Sequence, residues 1–189
     1  KGGYISLVIV EHSYISKEGK ASDRQLSVAD DSLIGGLKKL SDIIHRNGSK
    51  AVMQINHAGS GTNKDVTGYD PVGPSPVINP RRGNIPVELT KEEIKRIVMD
   101  FRKAALRVKE AGFDGVEIHS AHGYLLNQFL SPLTNKRKDE YGGDIYGRIK
   151  IHLEIIKEIR DAVGEDFPIL LRIGASDYKE GGTTVEDSK

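Results

Sequence analysis

The sequence has no cysteine and no long apolar run, and these absences exclude several classes of protein. Without cysteine the chain has no disulfide, no thiolate nucleophile and no cysteine-based metal site. Its longest apolar run, residues 7–10, is far shorter than the roughly 20 residues that span a bilayer. Residues 1–4 lack the charged, apolar and small-residue pattern of a signal peptide. We therefore expect a cytoplasmic protein that does not insert into membranes.

The chain also lacks an excess of either charge. It has 28 Lys and Arg residues against 27 Asp and Glu residues, a formal net charge of +1. Because no basic field would attract a phosphate backbone, we expect no nucleic-acid partner. The 189 residues are enough to form one core. The missing initiator Met and the helix-opening pattern of residues 183–189 nevertheless predict a segment of a longer polypeptide.

Apolar periodicity predicts four strands that alternate with three helices. The predicted strands are 5–10, 51–55, 115–119 and 168–173, and the predicted helices are 32–45, 90–111 and 145–163. We also expect a helical turn at 125–130 and a long working loop at 56–88, which is rich in Gly and Pro. The alternation implies a parallel sheet, either an open doubly wound sheet or part of a (β/α)8 barrel. Periodicity alone leaves both architectures open.

Most of the histidines lie where predicted strands end, which is where parallel α/β folds place their active sites. Four of the six are at such ends: His12, His57, His119 and His122. The other two, His45 and His152, lie on predicted helices, and we expect both to be solvent-exposed.

His119 and His122 are three residues apart and could share one ligand. A zinc site would need a third protein ligand, and the surrounding residues do not offer one, so we expect no metal. Two neutral imidazoles could instead donate to one carbonyl or phenolate oxygen and stabilise negative charge there. Tyr124 adds a hydroxyl with an intrinsic pKa of about 10, which suits a proton donor. The alternative is that the three side chains only cap a strand.

Gln54 and Arg172 each follow a run of apolar strand residues, and the Arg172 guanidinium is predicted to emerge from a buried strand. A buried guanidinium needs an anionic partner, either a nearby carboxylate or a bound anionic ligand. The Gln54 amide could read the edge of a heterocycle, or it could hydrogen-bond to backbone inside a barrel. Either residue alone is weak evidence for a binding site. Their common position at strand ends strengthens the prediction of one.

Longer motifs resemble the old yellow enzyme family of FMN-dependent oxidoreductases. The most specific match runs from His119 to Pro132 and continues into the following loop. The loop residues are Asn135, Arg137, Asp139, Tyr141, Gly142 and Gly143. Residues 54–59, 73–76 and 171–173 match in the expected order, so the resemblance covers nearly the whole chain.

The resemblance implies an α/β fold, the (β/α)8 TIM barrel, of which this chain holds roughly strands two to five. Residues 1–189 would then form one partial FMN-binding domain. By match, Gln54, Arg172 and His12 are implied to bind FMN, with His12 acting mainly through backbone. His119 and His122 are implied to hold the carbonyl oxygen of the substrate, and Tyr124 to be the catalytic proton donor.

The implied activity is that of an NAD(P)H-dependent ene-reductase. Hydride would pass from NADH or NADPH through the flavin to the activated C=C bond of an enone or enal. The first alternative is the barrel of a larger iron–sulfur flavoprotein, an enoate or dienoyl-CoA reductase. The second is a flavin-binding scaffold without turnover. The sequence is compatible with a homo-oligomer of the full-length protein but does not specify one.

This chain does not match the family's first strand, nor the late strands whose loops bind the FMN phosphate in the family. We therefore expect the segment alone to be an open half-barrel that binds FMN poorly. Arg137, Asp139 and Tyr141 are expected to support the loop rather than to carry chemistry.

Overall fold

The structure, a computed structural model, describes residues 5–189 and contains a sheet of four parallel strands flanked by helices. Residues 1–4, in which no signal-peptide pattern was found, lie outside the described part. The strands are β1 (Leu7–Tyr14), β2 (Lys50–Asn56), β3 (Val72–Gly73), β4 (Val87–Glu88), β5 (Gly115–Ser120) and β6 (Ile169–Ile173). The helices are α1 (Ile34–His45), α2 (Lys64–Thr67), α3 (Lys91–Glu110), α4 (Leu125–Leu130) and α5 (Ile145–Val163).

The strand order of the main sheet decides between the two architectures. The order is β1-β2-β5-β6, with every neighbouring pair parallel. The strands β3 and β4 form a separate two-stranded sheet, so the spatial order of the four main strands is also their order along the chain. A doubly wound sheet reverses direction at a switch point, whereas successive barrel strands do not. The sheet within residues 5–189 is therefore an arc of a barrel.

The helices form where the sequence pattern predicts them, and α3 shows why. Thr90 Oγ1 accepts a hydrogen bond from the Glu93 amide at 3.2 Å, and Glu93 Oε2 accepts one from the Thr90 amide at 2.8 Å. This capping box satisfies backbone donors that the first turn leaves free. The apolar stripe of α3 packs against the sheet, and the core lies between them. Central core residues are Met53, Ile55, Ile97, Phe101, Val116, Ile118 and Ile155.

The segment 56–88 is more ordered than the predicted structureless loop. It contains a 3-10 turn at Gly59–Gly61, the short helix α2, and the strands β3 and β4. The Asn63 side chain caps α2 by accepting from the Val66 amide at 3.1 Å. β3 and β4 each have two residues, and such short strands leave no periodic pattern in the sequence.

The helix expected to open at residues 183–189 is a turn. Thr184 and Asp187 make reciprocal capping contacts, in which the Thr184 amide donates to Asp187 Oδ2 at 2.8 Å. The Asp187 amide donates back to Thr184 Oγ1 at 3.2 Å. The capping pattern is therefore present, and residues 185–188 form turns.

Candidate active site

Side chains from all four strands of the main sheet meet at its carboxyl edge. His12 lies on β1, Gln54 on β2, His119 on β5 and Arg172 on β6. His119 and Arg172 are direct partners in the parallel register. The structure therefore brings Arg172 to the same rim as the histidine pair, as the sequence predicts. Parallel strands place their carboxyl ends together, which is why residues far apart in sequence converge here.

Four aromatic or imidazole rings form a compact cluster at this edge. The ring centroids of His119 and His122 are 5.0 Å apart and nearly perpendicular, at 84°. Tyr124 lies 5.3 Å from His119 and 5.2 Å from His12, again between ring centroids. His12 and His119 are 5.9 Å apart. The cluster can therefore present two N–H groups and a phenol to one small ligand.

The turn after β5 positions His122 and Tyr124. His122 has φ of 60° and Gly123 has φ of 75°, so two successive residues are left-handed. This conformation is unfavourable for a residue with a Cβ and is frequent at functional sites. Hydrogen bonds hold the turn: the Gly123 amide donates to Asn127 Oδ1 at 2.7 Å, and the Tyr124 amide donates to the Ala121 carbonyl at 3.2 Å.

The imidazoles of the cluster are held neutral at neutral pH. Burial, together with the nearby His122, His12 and Arg172, lowers the pKa of His119 to about 3. Burial also lowers the pKa of His122, with added repulsion from Arg172 and Arg81. The pKa of His12 is lowered chiefly by burial, against the attraction of Glu11. A neutral imidazole can donate a hydrogen bond without bringing a full charge into the site.

One ring nitrogen of His119 is unsatisfied. The side chain is 1% exposed, and its buried Nδ1 has no hydrogen-bond partner within residues 5–189. Buried polar atoms are nearly always paired, so the unpaired Nδ1 of a residue that also lines a cavity marks a candidate ligand position.

Gln54 is paired with a residue that sequence reasoning missed, Glu117. Both side chains are buried, and Gln54 Nε2 donates to Glu117 Oε1. A carboxylate only accepts, so this contact fixes the amide and leaves Gln54 Oε1 free to accept from a ligand. The expected backbone alternative is therefore not the one observed. The sequence signal that could have found Glu117 is the alternation of side chains along β5, because residues two apart lie on the same face of a strand and Glu117 is two residues before His119.

The structure corrects the environment predicted for Arg172. Sequence reasoning expected it to emerge from a buried strand, yet Leu171, Arg172 and Ile173 are all exposed. Within residues 5–189, β6 has β5 on one side and no strand on the other. Arg172 has no carboxylate within 4.0 Å among these residues, so its charge is available to a ligand.

The histidines outside the ring cluster have different surroundings from those predicted. His152 was expected at the surface and is 5% exposed, with Nε2 at 2.8 Å from Ser120 Oγ. It is buried because its face of α5 packs inward. His45 is partly exposed and lies 2.6 Å from Asp114. His57 follows β2 but is buried away from the ring cluster, with Nε2 3.9 Å from Glu18.

Two adjoining cavities open beside the ring cluster. One, of about 750 Å³, is lined by His12, Gln54, Glu117, His119 and Arg172, among others. The other, of about 680 Å³, lies between the turn after β5 and the segment 74–86. His122 and Arg172 line both. The two cavities therefore share the wall that these two residues form.

Arg137 and Tyr141 support the loop, as expected. The Arg137 guanidinium donates to the carbonyls of Pro74 at 3.1 Å and Leu89 at 2.7 Å, and it pairs with Asp139 at 2.7 Å. The Tyr141 hydroxyl donates to Glu154 at 3.0 Å. These contacts tie the segment before α5 to the segment 74–89.

Neither a candidate metal centre nor a membrane-spanning helix is present in the described part of the chain. Among residues 5–189, no group of three or more His, Cys, Asp or Glu side chains is arranged to hold a metal ion. None of the helices found there combines the length and the apolar character needed to cross a bilayer. The cytoplasmic location stays a prediction.

Comparison with known proteins identifies the family. The family model of the NADH:flavin oxidoreductase / NADH oxidase family matches residues 2–189. The chain belongs to this family. Members of the NADH:flavin oxidoreductase family with similar sequences include an NADH oxidase of Thermoanaerobacter brockii, 46% identical over 99% of this chain and 29% of its own length. An NADPH dehydrogenase of Listeria monocytogenes serotype 4b (strain CLIP80459) is 46% identical over 98% of this chain and 53% of its own length.

Solved structures of this family confirm the barrel. A 2-naphthoyl-CoA reductase in complex with 2-naphthoyl-CoA superposes with a TM-score of 0.93 and 34% identity, over 98% of this chain and 30% of that one. An old yellow enzyme homologue from Zymomonas mobilis superposes with a TM-score of 0.88 and 29% identity, over 96% of this chain and 54% of that one. Morphinone reductase in complex with tetrahydroNAD superposes with a TM-score of 0.85 and 30% identity, over 96% of this chain and 54% of that one. The chain thus spans between 29% and 54% of the length of these relatives.

Proposed function

We propose that the protein is an FMN-dependent ene-reductase that uses NADH or NADPH to reduce the C=C bond of an α,β-unsaturated carbonyl compound. The unpaired Nδ1 of His119, inside a cluster of neutral imidazoles, is the observation that carries this proposal. Family membership supports the flavin and the nicotinamide reductant. The pairing of His119 and His122 around one ligand position supports a carbonyl oxygen as the bound group.

The residues of the 750 Å³ cavity fit FMN. Gln54 Oε1 is a free acceptor suited to an N–H of the flavin pyrimidine, and Arg172 offers an unpaired cation. His12 lies beside both, with its Nδ1 held 2.8 Å from Gln25 Nε2. When bound, FMN supplies a carrier that accepts hydride from a nicotinamide and passes it to an alkene.

His119 and His122 would bind and polarise the substrate. Each neutral ring can donate one N–H to the carbonyl oxygen, where negative charge develops as the alkene accepts hydride. Their lowered pKa values keep both rings neutral at neutral pH, so each can donate an N–H hydrogen bond without carrying an extra proton. The burial of His119 excludes water that would weaken this interaction.

Tyr124 would supply the proton. Its ring lies 5.3 Å from that of His119, on the chain segment that follows the substrate-binding pair. A carbonyl held by the two histidines would place its α-carbon near the phenol. General acid help of this kind contributes typically 10²–10⁴-fold to the rate.

The test is the substitution Tyr124→Phe in the FMN-loaded full-length protein. We expect reduction of cyclohexenone to slow by about 10²–10⁴-fold, while flavin reduction by NADPH is largely retained. Stopped-flow absorbance measures the two half-reactions separately. Tyr146→Phe, which alters an exposed tyrosine on α5, is the matched control. Equal losses in both half-reactions would show that Tyr124 is not the proton donor.

A second candidate is the barrel of a larger iron–sulfur flavoprotein reductase. It is favoured because two of the relatives are much longer than this chain, which covers 29% of the NADH oxidase and 30% of the 2-naphthoyl-CoA reductase. Iron and acid-labile sulfide analysis of the full-length protein separates the two candidates. The cyclohexenone assay also tests the alternative of a non-catalytic flavin-binding scaffold, which would show no turnover. A homo-oligomer of the full-length protein stays a prediction.

A further inference from the structure

The 680 Å³ cavity carries an unbalanced positive charge. Three arginines line it, Arg81, Arg82 and Arg172, against one carboxylate, Asp177. Asp177 Oδ2 is already engaged, since it accepts from Ser131 Oγ at 2.6 Å and from the Thr183 amide at 2.7 Å. The proposed function uses Arg172 for the flavin and leaves Arg81 and Arg82 without a role.

Arg81 and Arg82 have no acidic partner. Within residues 5–189, no carboxylate lies within 4.0 Å of either guanidinium, although several other arginines have one. Their contacts are with carbonyls. Arg82 Nε donates to Gly61 at 3.0 Å, and Arg81 lies 3.5 Å from the His122 carbonyl. Backbone carbonyls leave most of the five N–H donors of each guanidinium available.

The turn that carries the two arginines is anchored to the site. Asn79 Oδ1 accepts from the amides of Arg81 at 3.0 Å and Arg82 at 3.2 Å, and Asn79 Nδ2 donates to Ser60 Oγ at 3.0 Å. Asn84 Nδ2 donates to the Thr62 carbonyl at 2.7 Å. Both ends of the turn are therefore tied to the segment 60–62, which lies beside Tyr124. This anchoring fixes the backbone of Arg81 and Arg82 at one side of the cavity, from which their exposed side chains extend.

We infer that Arg81 and Arg82 form a subsite for an oxyanion, carboxylate or phosphate, on the alkene substrate, at the end away from the reacting double bond. The inference rests on the proposed function, because the double bond is placed by His119, His122 and Tyr124. A guanidinium binds both oxyanions through paired hydrogen bonds, and the charge surplus disfavours cationic substrates. The preferred substrates are thus acidic or phosphorylated enones and enoyl thioesters.

The test compares ligands that differ in charge, using the FMN-loaded full-length protein. The probes are cyclohexenone, a cyclohexenone that carries a carboxylate, and crotonyl-CoA. In the double variant Arg81→Gln/Arg82→Gln, we expect the affinity for at least one anionic probe to fall about 10- to 100-fold relative to that for cyclohexenone. Arg46→Gln, an exposed arginine at the end of α1, is the matched control.

The two anionic probes distinguish the source of the oxyanion. A selective loss for the carboxylate enone assigns the subsite to a carboxylate, and one for crotonyl-CoA assigns it to phosphate. Equal losses for charged and neutral probes overturn the inference. A loss confined to flavin reduction by NADPH, with NADH unaffected, also overturns it, because the arginines would then serve the reductant.

A binding measurement separates this inference from the proposed function. Titration of the oxidised flavoprotein with the saturated carboxylate analogue and with butyryl-CoA, each followed by the visible difference spectrum, needs no turnover. If the wild type binds either ligand and the double variant does not, the subsite stands even where no enone is reduced. If enones are reduced and the two proteins bind both ligands equally, the subsite is wrong and the proposed function stands.

Discussion

At the scale of single residues, the site is built from imidazoles that remain uncharged chiefly because burial makes a charge there costly. His119, His122 and His12 also share one wall with Arg172, so a proton on His119 or His122 would be repelled by a neighbouring cation. The cluster is therefore a neutral hydrogen-bond donor surface beside a permanent guanidinium, which suits an oxygen that gains negative charge during a reaction.

Burial of His152 predicts acid sensitivity of folding. Burial lowers its pKa to about 4 in the folded protein, against about 6.5 when unfolded. Below pH 6.5 the unfolded chain binds a proton that the folded chain does not, so stability falls as the pH falls towards 4. Between pH 7 and pH 5 this one group should cost about 2 kcal/mol.

The measurement is the urea midpoint of the full-length protein at pH 7, 6 and 5. His152→Gln keeps an amide near Ser120 and removes the titrating ring, so its midpoint should fall less steeply than that of the wild type. Leu153→Gln, at the exposed neighbouring position on α5, controls for a glutamine in this helix. Parallel pH profiles for His152→Gln and the wild type would show that His152 does not titrate as described.

The strand-end residues could be predicted from sequence, whereas their partners could not. His119, His122 and Arg172 were placed together because polar residues at the ends of parallel strands share an edge. Glu117 was missed because it sits within an apolar strand, where its partner Gln54 comes from a strand 63 positions away. His152 was misplaced because the pattern of α5 did not show that its face is covered.

At the scale of elements, two turns meet beside the ring cluster of His12, His119, His122 and Tyr124. The turn after β2 and the turn after β5 are joined by Gln128 of α4. Its Nε2 donates to the carbonyls of Ala58 at 3.2 Å and Gly123 at 2.7 Å, and its Oε1 accepts from the Ser60 amide. One buried amide thus fixes both turns relative to α4.

Gly59→Ala should destabilise this junction by about 1–3 kcal/mol. Gly59 has φ of 58°, and a Cβ there would lie 2.5 Å from Gln128 Oε1. Gln128 is buried and cannot move without losing its contacts with both turns. Thermal and urea unfolding measure the effect. In the control Gly36→Ala, on an exposed face of α1 with nothing within 4 Å, we expect a gain of about 0.5–1 kcal/mol. Equal stability of the two variants would contradict this account.

Long elements were predictable and short ones were not. The capping box and apolar stripe of α3 fix a helix locally, and the structure shows it at Lys91–Glu110. The strands β3 and β4 depend instead on distant contacts. The Leu89 amide donates to the Gly73 carbonyl at 3.0 Å, and Arg137 donates to the carbonyls of Pro74 and Leu89. Such contacts come from tertiary packing, which a two-residue strand does not encode.

At the scale of the whole molecule, the four-stranded arc has two outer strands with apolar side chains in contact with solvent. On β1, Leu7 and Ile9 are each 42% exposed, and on β6, Leu171 is 41% exposed. The sequence showed the strand and helix alternation but left the architecture open, since periodicity says nothing of strand order. The in-sequence order of the parallel strands resolves it as a barrel arc.

Residues 1–189 produced alone should therefore self-associate and bind FMN weakly. Unpaired backbone groups and apolar side chains on β1 and β6 favour edge-to-edge association. The cavity that holds Gln54 and Arg172 is bounded on one side by the exposed strand β6, so a flavin would be held along part of its surface. Size-exclusion chromatography and the visible flavin absorbance of the purified segment measure both effects, with the full-length Listeria NADPH dehydrogenase as a positive control. A monomeric segment that retains one FMN per chain would mean that this arc alone supplies the affinity for the flavin.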